Sequence, residues 1–317
     1  MGSRRCTVSA VEQVGGVTST CQRARRMKTS MNRTVRAVHV VSTGSGEQHR
    51  EHRYGSKKPR MWWVLTSQSW IQAPVNAYLL EHRDGLVLFD TGMDPAIVSD
   101  PSYISSSLGR FLLNRIFRIY IGPDDCLSRR LNALGFDPAD IRTAVISHLH
   151  FDHIGGIAEV PQAELLVSEE EWRQLSGPHP ERDWILREHI ERPGARWRQI
   201  DFSPSDDPLV EIFGGAYDVM GDDSMVLLPT PGHTPGSMSM LVRSEALPPI
   251  LLVGDLTYEV DLLMNDQVPG VGDARQLRAS FAKVRALKER LPELVILPAH
   301  DPAAAEAIEG LRRAGRR

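Results

Sequence analysis

Hydrophobic and polar positions begin to alternate at Val35, where VRAVHVVST reads as a β-strand. The stretch that follows, GEQHREHRYGSKKPR, is almost wholly polar and predicts a loop or an arm. WWVLTSQSW, VNAYLLEH and GLVLFDTG then predict consecutive strands, with Gly85 marking a hairpin between the last two. Residues 97–123 are dense in aromatic and aliphatic side chains, and Leu108, Leu112, Ile116 and Phe117 recur at helical spacing. A helix is expected there. It either packs on the core or forms the lid or wall of an apolar pocket, or a dimer contact.

Beyond Asp125, helical and strand patterns alternate. DCLSRRLNALG predicts a helix stopped by Gly135. TAVIS and ELLVS read as short apolar strands, and Ser168 with Glu171 has the spacing of a capping box for the next helix. Residues 176–222 are rich in proline, glycine and charge and show no clear pattern. MVLLPT, SMSMLVR, PILLVGD and LVILPAH predict further strands. Asp273 caps a helix with the apolar face Leu277, Phe281, Val284 and Leu291, and Asp301-Pro302 has the cap and first-turn proline of a last helix. Strands first, then strands alternating with helices, suit an α+β domain of two helix-covered sheets over residues 34–317.

Composition adds mainly exclusions. Residues 1–33 are rich in Ser, Thr and Arg, lack an apolar core of signal-peptide length and are expected to be disordered, with a weak signal peptide as the alternative. Met27 and Met31 are candidate alternative starts. Net charge is −3 with acid and base interspersed, so no basic stripe calls for nucleic acid. No apolar run reaches the roughly 18 residues a membrane span needs. Cys6, Cys21 and Cys126 are scattered, which argues against a disulfide framework or a cysteine metal site and suits a cytoplasmic location.

The polar residues fall at strand ends. GLVLFD, TAVISH, LLPTPGH, ILLVGD and LVILPAH each close an apolar run on Asp or His, and loops at one edge of a scaffold are where sites collect. The densest chemistry is SHLHFDHIGG, residues 147–156. His148 and His150 are two apart, so in extended chain they share a side. Asp152 and His153 follow, and Gly155 and Gly156 are expected to let the backbone bend tightly. Imidazole and carboxylate are ligands that zinc and other borderline metals favour, and four such groups are costly to bury unpaired. His233, Asp255 and His300 extend the set; each alone has a capping or core alternative. Two close metals can share a water and acidify it to hydroxide near neutral pH, which suits esters, lactones, thioesters, amides and phosphoesters alike. Tyr258, in GDLTY, can point into the site and donate a hydrogen bond to a carbonyl oxygen as charge builds; a packed strand-end tyrosine is the alternative.

This ordered set, over roughly residues 35–305, resembles the metallo-β-lactamase superfamily. The resemblance implies a four-layer αβ/βα sandwich of two mixed β-sheets with the metals at one edge. It implies that His148, His150 and His233 hold one ion, that Asp152, His153 and His300 hold the other, and that Asp255 bridges both. Asp90, in LFDTG, matches a superfamily aspartate behind the metals and is expected to accept the second N–H of a ligand histidine; a strand-end cap is the alternative. SHLHFDH with GDxxY and a PGHxPG loop is most similar to the N-acyl-homoserine lactonase group, the quorum-quenching lactonases. That likeness implies a metal-bridging hydroxide attacking a lactone carbonyl. Tyr258 would steady the oxyanion and Asp152 would carry the proton to the leaving alkoxide.

Two divalent ions are therefore expected as cofactors, zinc by default, although manganese, iron and cobalt satisfy the same ligands. The expected partner is a small-molecule ester or lactone, with a homodimer left open. Competing readings are a metallohydrolase of other carboxylic, thio- or phosphoesters, a mononuclear iron dioxygenase acting on persulfides, and a non-catalytic binding protein. Trp62, Trp63, Trp70, the N-terminal arm and residues 176–222 exceed a minimal lactonase and can reshape its pocket. Phe151 either packs near the metals or fills the core.

Overall fold

The computed structural model describes residues 34–314, so the disorder expected for residues 1–33 lies outside the described residues, as do Cys6 and Cys21. The chain opens with β1 (Val35–His49), the short helices α1 (Arg50–Tyr54) and α2 (Arg60–Thr66), and the hairpin β2 (Trp70–His82) and β3 (Gly85–Phe89). Next come α3 (Ala96–Ser99), α4 (Ser107–Ile116), β4 (Phe117–Tyr120), α5 (Leu127–Ala133), β5 (Ile141–Val145) and α6 (Phe151–Ile154). β6 (Glu164–Ser168), α7 (Glu169–Arg173), α8 (Arg187–Ile190), β7 (Arg196–Ile200) and β8 (Tyr217–Asp218) follow. The chain continues through β9 (Met225–Pro229), β10 (Met238–Val242), β11 (Ile250–Gly254), α9 (Val260–Met264), α10 (Ala274–Arg290), β12 (Val295–Pro298) and α11 (Ala304–Ala314).

Two mixed sheets result. One runs β4-β1-β2-β3-β5-β6-β7, antiparallel as far as β3 and parallel from there to β7. The other runs β12-β11-β10-β9-β8, with only β11 and β12 parallel. Because side chains alternate along a strand, each sheet has two apolar faces. Tyr78, Leu80, Val87 and Phe89 meet Met225, Leu227, Met240 and Leu252 between the sheets. Their neighbours Ala77, Leu79 and Leu88 face outward under Leu127 and Leu131 of α5. Val226, Leu228 and Leu251 face outward under Leu277, Phe281 and Val284 of α10. The order helix, sheet, sheet, helix is the four-layer αβ/βα sandwich. Each such fully buried side chain contributes about 1.5–3 kcal/mol relative to exposure. Among the described residues, no helix is long and apolar enough to cross a membrane.

The polar arm is not a loop. Residues 46–49 complete β1, and the chain then forms α1 and α2. WWVLTSQSW is accordingly not a strand. Trp63 and Val64 are buried side by side while Trp62 and Leu65 face out, a helical pattern rather than an alternating one. Phe117 leaves the predicted helix and pairs with Gln48 in β4. Ser168 accepts the Glu171 amide hydrogen as a cap should, but the Glu171 carboxylate does not turn back to complete the box. Asp273 caps α10 by accepting the amide hydrogens of Arg275 and Gln276, worth about 1 kcal/mol. Gly155 has ordinary helical dihedrals, so it is no tight turn. It is required because a Cβ would sit 2.2 Å from the Asp94 amide nitrogen.

Candidate metal centre

The loops after β3, β5, β9, β11 and β12 all leave one edge of the sandwich, and they bring Asp90, the 147–153 segment, His233, Asp255 and His300 together. Every residue the sequence marked for metal binding converges there. Nitrogen or oxygen atoms of His148, His150 and His233 lie within 4.8 Å of one another, as do those of Asp152, His153 and His300, and of His148, His153 and Asp255. Nδ1 of His150 faces both His148 Nε2 and His233 Nε2, each at 3.0 Å. Ligands on a tetrahedral zinc ion with Zn–N bonds near 2.05 Å stand about 3.3 Å apart, so three nitrogens at this spacing could share one ion. The two carboxylate oxygens of Asp255 point different ways: Oδ2 is 3.4 Å from His233 Nε2, while Oδ1 is 3.1 Å from His300 Nε2 and 3.3 Å from His153 Nε2. His300 Nε2 is also 3.4 Å from Asp152 Oδ2.

The donor set fits divalent cations. Among the described residues, His153 Nε2 and Asp255 Oδ1 are buried 3.3 Å apart and neither makes a well-aligned hydrogen bond, a costly state that an ion held between them relieves. Burial lowers His148 well below the usual histidine range, lowers His150, and brings His233 down to about 3. These imidazoles are neutral near pH 7 and ready to ligate. Around the second set, burial also works against charge, but the carboxylates win. Asp90, Asp255 and Asp152 hold His153 well above its usual value, and Asp255 and Asp152 hold His300 at about 10. Reciprocally, burial would raise Asp152, but His153 and His300 bring it down to about 2.

Outer contacts hold the rings. Asp90 Oδ2 accepts from His153 Nδ1 at 2.8 Å, while Oδ1 accepts the Ser147 amide hydrogen at 2.7 Å. His148 Nδ1 is 3.0 Å from Ser147 Oγ, and His300 Nδ1 donates to the Pro74 carbonyl at 2.7 Å. Asp90 is thus no mere strand-end cap. Glu171 does more than its spacing suggested. It is fully buried, and its carboxylate accepts from the Leu149 amide at 3.0 Å, the Thr234 hydroxyl at 2.6 Å and the Gly236 amide at 3.1 Å. One side chain therefore ties the 147–153 loop to the loop of His233. Burial raises its pKa, opposed by those three donors. Gly236 must lack a Cβ, which would stand 2.0 Å from the Glu171 amide nitrogen.

A cavity of about 510 Å³ opens over the ligands. Asp152, His233, Asp255, Tyr258 and His300 form its floor. Much of its wall is apolar, from Trp63, Leu112, Ile116, Phe117, Phe151 and Trp184, with Gln48, Arg60 and Arg182 among the polar residues that complete it. Residues 107–117 are thus a wall of the pocket, and Phe151 packs edge-on to Phe117 and Trp184 rather than filling the sandwich core. Of the three tryptophans, Trp63 lines the cavity, Trp62 faces out and Trp70 packs on His49. The Tyr258 ring stacks on His300, and its hydroxyl lies 3.5 Å from Asp255 Oδ2 and 2.9 Å from His52 Nε2. Burial, with Asp255 adding to it, pushes the phenol well above its usual pKa, so it stays a neutral donor. His52 escaped the sequence reading because it sits in the polar stretch taken for an arm. Its sequence neighbourhood, with His49 three residues before it, gives no pattern that separates it from a solvated stretch, and β1 ends at His49 before the helix begins.

A sequence profile of the metallo-beta-lactamase superfamily matches residues 70–300. The chain belongs to that superfamily and is a metal-dependent hydrolase. It is 32% identical over 242 residues to the N-acyl homoserine lactonase AttM of Rhizobium johnstonii, covering 74% of this chain and 84% of that one. To an N-acyl homoserine lactonase of a Bacillus species it is 31% identical over 226 residues, covering 71% and 80%. The structure of an N-acyl homoserine lactone hydrolase with N-hexanoyl-L-homoserine at its catalytic metal centre matches with a TM-score of 0.69. That match has 22% identity and covers 86% of this chain and 96% of the other, a likeness of fold. The dizinc quorum-quenching lactonase AidC matches with a TM-score of 0.57 at 19% identity, covering 84% and 87%.

Proposed function

We propose that the protein opens the ring of lactones, N-acyl-homoserine lactones among them, to the hydroxy acid. The observation that carries this reading is the Tyr258 phenol, kept neutral beside Asp255 on the floor of an apolar-walled cavity. Relatives about 30% identical that are named as N-acyl homoserine lactonases support it. In this reading His148, His150 and His233 would hold one divalent ion and Asp152, His153 and His300 the other, with Asp255 available to both sets, zinc being the default metal. Residues 34–317 act as one hydrolase domain.

When bound, the ions supply an acidified water as nucleophile and Lewis acidity toward the carbonyl. Tyr258 donates its O–H to the carbonyl oxygen as negative charge develops there. Asp152 is ionised and lines the cavity, so it can accept the proton that the attacking water gives up and pass it to the ring oxygen as the C–O bond breaks. Trp63, Phe117, Phe151 and Trp184 take the acyl chain and keep bulk water from the floor. The test is a panel of lactones, aryl esters and phosphotriesters followed by proton release, with metal analysis on the same preparation. Turnover of acyl-homoserine lactones with two ions per chain is expected. Activity confined to aryl esters or phosphotriesters would overturn the reading.

A further inference from the structure

The wall beside Tyr258 holds a histidine that neither the ligand set nor the ring-opening chemistry uses. His52, on α1, is buried, and its ring meets Trp63, Phe117 and Tyr258 edge-on. Nε2 lies 2.9 Å from the Tyr258 hydroxyl, whereas Nδ1 has no partner among the described residues. α1 is locked to the segment that carries Tyr258. Arg53 pairs with Glu259 at 3.0 Å, the Tyr54 hydroxyl donates to the same carboxylate at 2.8 Å, and the Gly270 amide donates to the His52 carbonyl at 2.9 Å. Three successive residues of the helix thus grip Tyr258 and Glu259.

A proton inventory sets the direction of the bond. Burial brings the pKa of His52 down to about 3, so the ring is neutral and carries one N–H. On Nδ1 that hydrogen would be a buried donor with no acceptor, the rarer and costlier kind of orphan. On Nε2 it meets the phenol oxygen and leaves only a bare lone pair behind. The phenol then accepts from His52, and its own proton is free to turn toward Asp255 Oδ2 and the cavity.

We propose that His52 is a positioning residue for Tyr258: it occupies the wall side of the phenol oxygen and so aims the phenolic proton at the substrate oxygen. This rests on the reading that Tyr258 donates during ring opening. The test is a double-mutant cycle of His52→Leu and Tyr258→Phe, with His52→Gln as the conservative variant. Metal content is measured for each protein, and side-chain ¹⁵N spectra are recorded on the metal-free protein. His52→Leu is expected to keep its ions and lower kcat about tenfold with KM little changed, the scale of one lost hydrogen bond. His52→Gln, which keeps an N–H donor, recovers most of that loss. In the Tyr258→Phe background the same change has less than about a twofold effect, because the two residues act as one. The spectra show His52 protonated at Nε2, with a shift that moves in Tyr258→Phe. Equal losses in both backgrounds, no rescue by Gln, or a proton on Nδ1 would overturn the proposal. Unchanged kcat in Tyr258→Phe alone would instead remove Tyr258 from the reaction, and the spectra would still decide the His52 bond.

Discussion

The floor and the wall of the cavity are built by opposite means. In and under the floor, His148, His153, Asp255 and His300 are buried in segments that follow β5, β11 and β12, and the histidines among them are held from behind by Ser147, Asp90 and the Pro74 carbonyl. Glu171 locks two ligand loops together. Much of the wall comes from α1, α2, α4 and β4, short elements that leave Trp62, Leu65 and Phe111 exposed. Metal and proton chemistry tolerate little displacement, so their groups are over-determined. An acyl chain needs only apolar area, so the wall can be made of whatever packs. His52 reaches from the wall to the floor by its hydrogen bond with Tyr258.

The sharpest break in that contrast is His150→Ala, which removes the nitrogen facing both His148 and His233. Loss of one ion and of activity on the order of a thousandfold is expected, read by metal analysis and lactone turnover. A full complement of metal in this variant would take His150 out of the ligand set. Next is Glu171→Gln, whose amide cannot accept all three donors. Metal affinity should fall about 10- to 100-fold in chelator competition, while the wall and the far-ultraviolet spectrum stay unchanged.

Within the floor, the two ligand sets should differ in their proton cost. His233 titrates at about 3, so it has no proton to lose near neutrality; His300, raised to about 10, must give one up before it can ligate. Metal uptake at the set of Asp152, His153 and His300 should therefore release protons and weaken as pH falls from 10, by up to about tenfold per unit for each proton displaced. Calorimetry in buffers of different ionisation heat checks this, and proton-free uptake at both sets would contradict it. The smallest effect belongs to the wall. Phe117→Ala should raise KM several-fold for long-chain lactones, at about 0.8 kcal/mol per methylene no longer covered, and leave short-chain substrates and kcat nearly unchanged. A large fall in kcat would mean that the wall does more than hold the chain.

What the sequence determined by itself was whatever repeats or sits in a local pattern. β2, β3, β5, β6 and β9 to β12 are buried on both faces, so they read as bounded apolar runs, and the segments after several of them carry the seven candidate ligands. α10 is 17 residues long, enough for its period to show. By contrast, α1 and α2, at five and seven residues, are too short to display one, and their charged neighbours made them look like an arm. Tertiary structure alone decided that Glu171 leaves its own helix cap for loops some 22 and 65 residues away, and that His52 meets Tyr258 across 206 residues. Such partners share no sequence window. Folding brings them together only when the two sheets close and a buried polar atom must find whatever donor or acceptor lies beside it.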